Sequence, residues 1–247
     1  TPYTISISDL EYEEIVEMKY DEDIQVEEII HPMLQNAIID FILTGIVRHL
    51  RRKQGIKMNK HHTMLVHISR LNREQEEVHD LISKLIEVWK SKASSTLGSS
   101  PRKFRKRMQE RWDEQFISQS SIMETWQDIE KELLKDEDED GWLHSVCVRM
   151  INSLNPGESL DYAKSEEGLN VIAIGGNKLS RGLTLEGLCV SFFMRHTKMY
   201  DTLMQMGRWF GYRHGYDDLV RVYTTERLLA WFAWLVKVEK EVRSDIH

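Results

Sequence analysis

Two stretches of the chain carry side chains whose types and spacing suit phosphate chemistry. The first, Val171 to Gly187, is an apolar, strand-like run that ends in Gly175 and Gly176 and continues through Asn177, Ser180, Arg181, Gly182 and Thr184. Open α/β sheets bind ligands beyond the carboxyl ends of their parallel strands, and glycine there lets the backbone approach a phosphate-bearing ligand closely. A tight strand-to-loop turn uses the same pair of glycines, so local physics leaves both uses open. The second stretch, Tyr200 to Arg213, puts Gln205 and Arg208 on a helix and Arg213 just past it, with Gly207 and Gly211 removing bulk beside the arginines. A guanidinium stays protonated and donates several hydrogen bonds from a planar fork, which suits spread-out phosphate charge. Taken one at a time, each arginine could equally serve a surface ion pair.

Other candidates are weaker. Asp9 with Glu17 and Lys19 has the loose spacing of an Mg²⁺-dependent nuclease, although acidic, lysine-bearing helix faces produce it often by chance. His61, His62 and His67 have no Cys or His partners at zinc spacing, so strand and loop histidines are expected. No Gly-x-x-x-x-Gly-Lys-[Ser/Thr] occurs, and Gly175-Gly176-Asn177-Lys178 is too short to cradle phosphates as a P-loop. No Ser or Cys sits in a nucleophile-elbow context.

The elements that must position these residues follow from periodicity. Val171–Ile174 reads as a strand, joined by strands at Thr63–Ser69, Ser145–Ile151, Cys189–Met194 and Leu219–Tyr223. Helical spacing marks Pro32 to about Gly55, whose basic end (Arg48 to Lys53) suits the helix dipole, and also Arg73–Lys90, about Met199 to Trp209, and Glu226 to about Val242. Strands alternating with helices predict an α/β fold with a mostly parallel sheet covered on both faces. Residues 1–31 read as a connector with one short helix, 1–60 as a helical lead-in, 61–247 as the main domain, and about 93–141 as a helical insertion. Apolar residues at 41% and charged residues at 30% fit a globular chain, and a net charge of −7 announces no general nucleic-acid binder. Cys147 and Cys189 are the only cysteines, which with no secretory segment at the start suggests a reducing, cytoplasmic setting. No run approaches the roughly 18 apolar residues of a membrane span.

Together, the order strand, Ser-Arg-Gly-x-Thr, strand, Gln-x-Gly-Arg resembles motifs V and VI of the second RecA-like domain of superfamily-two helicases. More closely, Ile174 to Thr225 resembles the signature of the Z-one domain family, helicase-like ATPases that bacteria encode beside DNA methylases and restriction endonucleases. The resemblance implies a RecA-like lobe that acts on DNA and works with an N-terminal RecA-like lobe missing from this chain, in the company of restriction-modification or defence proteins. ATP and Mg²⁺ would then be held only in the full-length protein, with no cofactor expected in this chain alone. Carried over by position, Gly175, Gly176, Asn177, Ser180, Arg181, Gly182 and Thr184 would lie near the nucleotide, Arg208 would be the finger that reaches the γ-phosphate, and Gln205 and Arg213 would assist. The second arginine usually stands three residues after the first, where this chain has Gly211, and Thr184 replaces the usual acidic residue of motif V. An Mg²⁺-dependent endonuclease and a non-catalytic interaction module stay open as alternatives.

The basic run Arg102, Lys103, Arg105 and Lys106, with Phe104, either contacts a nucleic-acid backbone or forms a solvated helix face opposite the acidic block Asp136–Asp140. Replacing the four cations by alanine separates these. Contact costs DNA affinity by an amount that shrinks as salt is added, and a solvated face leaves the affinity unchanged.

Overall fold

Short β-branched and apolar runs between polar turns become six strands: β1 (Tyr3–Ile7), β2 (His62–His67), β3 (Val146–Ile151), β4 (Asn170–Gly175), β5 (Leu188–Phe193) and β6 (Arg221–Thr225). The computed structural model describes residues 3–69, 71–95, 97–117, 121–134, 141–151, 160–175, 184–194 and 213–245. All pairings are parallel, in the order β1-β6-β5-β2-β4-β3. Parallel strands lie under crossovers on both faces and so must be apolar on both. Accordingly, every residue of β2, β5 and β6 is buried.

The described residues also form seven α-helices, α1 (Asp9–Val16), α2 (Val26–Ile29), α3 (Pro32–Lys53), α4 (Asn72–Ala93), α5 (Ser99–Gln115), α6 (Trp126–Leu133) and α7 (Glu226–Asp245), and three short 3-10 turns. Met64, Val66, Ile172, Ile174, Val190 and Phe192 share a core with residues of α1 to α6. On the opposite face Leu65, Val171, Ala173 and Phe193 meet Leu160, Tyr162 and Leu228, the last from α7. Met64 pairs with Val190 whereas Thr63 pairs with Leu188, so Cys189 is an extra residue in β5, and it joins Val190 in the first core.

The expected strands and the long helices at Pro32 to about Gly55, Arg73–Lys90 and Glu226 to about Val242 are present with boundaries shifted by a few residues, and the helix expected at about Met199 to Trp209 lies outside the described residues. One difference is substantial. The segment expected to be a connector with one short helix begins with β1, whose five residues pair in register from Tyr3↔Arg221 to Ile7↔Thr225, and then holds two helices. Tyr3, Ile5 and Ile7 alternate with Thr4 and Ser6, the period-two signal of an edge strand, but the acidic residues just beyond Ser8 masked it. Ser8 then starts α1 through a capping box with Glu11. Helices α5 and α6 occupy the expected insertion, and Phe104, Met108 and Trp112 of α5 are part of the main core.

A buried polar cluster locks α3, α5 and β6 together. The Asp40 carboxylate, fully buried, accepts from Arg111 Nε at 2.8 Å and Nη2 at 2.9 Å and from the Tyr223 hydroxyl. Burial, then the Asp40 charge, pushes the Tyr223 phenol well above its ordinary range, so it remains a donor. A buried ion pair is costly to half-remove because the survivor is left desolvated. Arg111→Met should therefore lower unfolding free energy by about 3–5 kcal/mol, and adding Asp40→Asn should restore part of it. Urea denaturation of the two variants checks both expectations.

Candidate functional site

The carboxyl edge of the sheet is where an α/β fold holds ligands, and its centre is β2. Strands β2 and β5 are neighbours, and the chain leaves β2 toward β3 on one side and leaves β5 toward β6 on the other. This divergence of the two crossovers is the switch point at which open sheets bind ligands. His67, the last residue of β2, is fully buried and stacks on Phe193 with ring centroids 5.3 Å apart. Its Nδ1 lies 2.6 Å from the Gly175 carbonyl and therefore carries the proton, and its own carbonyl accepts from the Met194 amide at 3.0 Å. One histidine thus fixes the points from which residues 176 and 195 set out.

Of the sequence-derived nucleotide and phosphate residues, Gly175 stands at this edge. Gly176, Asn177, Ser180, Arg181, Gly182, Gln205 and Arg208 lie outside the described residues. Thr184 and Arg213 stand at the amino edge: Thr184 precedes β5, and Arg213 Nε donates to the Leu188 carbonyl at 3.3 Å. Both line a cavity of about 550 Å³ with Asn59, Glu186 and Tyr216. Six strand residues rise about 20 Å. The structure thus brings Thr184 and Arg213 together and sets them across the sheet from Gly175, because a parallel connection must run from the carboxyl end of one strand to the amino end of the next.

The amino edge is built around a residue that its position in the sequence groups with the basic end of a helix. Arg48 of α3 is 3% exposed. Its Nη1 donates to Gly187 O at 2.9 Å and His62 Nδ1 at 2.7 Å, and its Nη2 donates to Asn59 O at 2.8 Å and His61 O at 2.9 Å. The guanidinium also lies 3.8 Å from the centre of the Tyr216 ring. The available signal was spacing. Arg48 continues the buried stripe of Phe41 and Gly45, whereas Arg52 and Lys53 are exposed.

Around this hub the tail of the first motif is architecture. Gly187 adopts φ +67°, and a Cβ there would sit 1.7 Å from the His61 carbonyl oxygen, so only glycine fits. The Glu186 carbonyl accepts from Thr63 Oγ1 at 2.6 Å, while its carboxylate lies 3.4 Å from Asn59 Nδ2 and 3.7 Å from His61 Nε2. His62 donates from Nε2 to Phe41 O at 2.8 Å, which leaves Nδ1 as the acceptor for Arg48. The neutral tautomer is required by both bonds.

The remaining candidates separate clearly. Asp9 and Glu17 are exposed at opposite ends of α1, about 12 Å apart along the axis at 1.5 Å per residue, too far to share one ion. Among the described residues no group of three His, Cys, Asp or Glu is placed to hold a metal. Arg102, Lys103 and Lys106 of the basic run are exposed and Arg105 is half-buried. Phe104 cannot stack on a base: it is 4% exposed and packs on Trp89 with centroids 5.8 Å apart. Asp136–Asp140 lies outside the described residues. No described helix is long and apolar enough to cross a membrane.

Burial, then the Arg48 charge, holds the His62 imidazole well below its ordinary range, and burial likewise lowers His61 and His49. Below about pH 6.5 the unfolded chain binds a proton at His62 that the folded chain excludes. The unfolded state then holds more protons, so stability falls as pH drops through that value and is flat above it. Each such histidine contributes at most about 1.4 kcal/mol per pH unit. Urea unfolding between pH 5 and 8 should show this slope, and His62→Gln should reduce it by about one proton.

With the geometry in place, the comparisons with known proteins are few. The family model described as the Z1 domain matches residues 33–247, nearly the whole chain, from the start of α3 through the hub and both motif segments. No curated protein and no solved structure matches. The chain belongs to the Z1 domain family.

Proposed function

We propose that this chain is the second motor lobe of a superfamily-two helicase-like ATPase that acts on DNA in a bacterial restriction-modification or defence setting. The observation that carries the proposal is topological. Both motif segments set out from the carboxyl edge on either side of central strand β2, one after Gly175 and the other after Met194, and His67 holds both points. The Ser-Arg-Gly and Gln-x-Gly-Arg elements resemble those of such motors, and the all-parallel α/β sheet is consistent with a RecA-like lobe.

In this proposal ATP and Mg²⁺ are held by a separate N-terminal lobe and supply the phosphoryl group whose transfer to water powers movement along DNA. Arg208 donates hydrogen bonds to that group, Gln205 orients or relays, and Gly175 through Gly182 follow the phosphates. Thr184 and Arg213 serve instead at the amino edge, where Arg213 caps the first carbonyl of β5.

The test is steady-state ATP hydrolysis by the full-length protein. Arg208→Ala should lower kcat by about 10³-fold, the scale of an arginine finger, with little change in nucleotide affinity. Unchanged turnover would leave the lobe as an interaction module whose motor residues are vestigial.

A further inference from the structure

A cavity bordered by described residues lies at the amino edge, the edge away from Gly175. It is a cleft of about 870 Å³ between the last turns of α3 and the segment that leads into β4. Among the described residues, Arg48, Arg52, Lys53 and Lys60 line it against two carboxylates, Glu132 and Glu167. Glu132 is already engaged, with Lys53 at 2.7 Å and His49 at 3.3 Å. Among the described residues the hydrogen-bond partners of the other three cations are neutral. Arg52 donates to the Lys60 carbonyl at 3.2 Å, Lys60 Nζ to the Ser165 and Glu166 carbonyls at 2.8 and 3.0 Å, and Arg48 to the carbonyls and imidazole of the hub.

This excess is local, since the whole chain carries −7. A helix C-terminus offers roughly half a negative charge, which accounts for one basic side chain and not for three. Nor does it explain Lys60, which follows α3 in a loop. The floor is rigid. Trp142 packs edge-on against His62 and Phe41, and it fits because residue 45 is glycine, where a Cβ would lie 2.2 Å from the indole.

We propose that this cleft is a binding site for a small phosphorylated ligand of about nucleotide size, with phosphoryl oxygens taken by Arg52 and Lys60 above the buried charge of Arg48. Its volume falls in the range of small-molecule pockets, about 300–1,000 Å³, and is far larger than an inorganic ion needs. Exposed Arg52, with a single hydrogen bond to break and a planar fork, is suited to phosphate. Walls on both sides favour a compact ligand over a strand passing through. The proposal does not rest on the motor role, which concerns the opposite edge.

Titration calorimetry of the chain with inorganic pyrophosphate tests it. Saturable binding is expected, weakened by added salt and about tenfold weaker in Arg52→Gln, the worth of one charge-assisted hydrogen bond. Arg52→Lys keeps the charge without the fork and should bind between the unaltered chain and Arg52→Gln, and an unchanged melting temperature shows that both variants fold. Absence of saturable heat, or equal affinity in Arg52→Gln, overturns the proposal. So does Arg52-dependent binding of a short single-stranded DNA that pyrophosphate fails to displace, since the cleft would then serve a nucleic-acid backbone.

Discussion

A guanidinium buried without a carboxylate is the constraint from which the amino half of this sheet follows. Taking the Arg48 charge out of water costs several kcal/mol. Four hydrogen bonds and the Tyr216 ring offset that cost, since bonds from a charged donor contribute about 1.5–3 kcal/mol each. Every acceptor must therefore be in place, and each imposes a condition of its own. His62 must be neutral with Nδ1 bare. The backbone at residue 187 must come so close to His61 that no side chain fits. The loop of residues 59–61 must turn its carbonyls inward. The start of β2, the start of β5 and the last turns of α3 are in this way one unit.

The two ends of the sheet are held by different means. At the amino edge the polar groups are dense and largely backbone-directed, although Arg48 Nε is buried with no hydrogen-bond partner among the described residues. At the carboxyl edge the centre of the sheet is held by His67, against Gly175, Phe193 and the Met194 amide. Two histidines in the same six-residue strand, His62 and His67, thus pin its two ends through the same chemistry, a ring nitrogen on a carbonyl.

Much of this architecture was legible in the sequence. Strands β2, β4 and β5 announce themselves because both faces are buried and the runs are largely apolar, β3 does so despite the exposed Arg149 at its centre, and α3 and α4 do so through long stripes at helical spacing. Strand β1 was hidden because nearly half its residues are polar and α1, directly after it, is crowded with acidic side chains. Arg48 was hidden for a subtler reason: a run of cations at a helix end invites a dipole explanation, and composition cannot tell the two that turn inward, Arg48 and Arg51, from exposed Arg52 and Lys53. The motif from Val171 to Gly187 read as a strand followed by residues that all approach one ligand, whereas adjacency along a chain is not adjacency in space. A parallel connection obliges those seventeen residues to visit both edges, so Gly175 and Gly187 answer to different requirements.

That division bears on how the motif should be weighed as a functional signal. Residues retained for the approach of backbone to backbone, such as Gly187, look the same in sequence as residues retained for the approach of backbone to phosphate. Only the edge on which they fall separates them. Leu185, buried in the second core, and Glu186, bonded to Asn59 and Thr63 Oγ1, belong with Gly187 on the architectural side. Among the described residues of the motif, Gly175 is the one that stands at the carboxyl edge beyond the core of β4. In the motor role proposed above, a lobe that presses a few side chains against a partner benefits from this arrangement. Positioning to within a fraction of an ångström requires a stiff support, and the hub at the opposite end supplies it by fixing where β5 begins relative to β2.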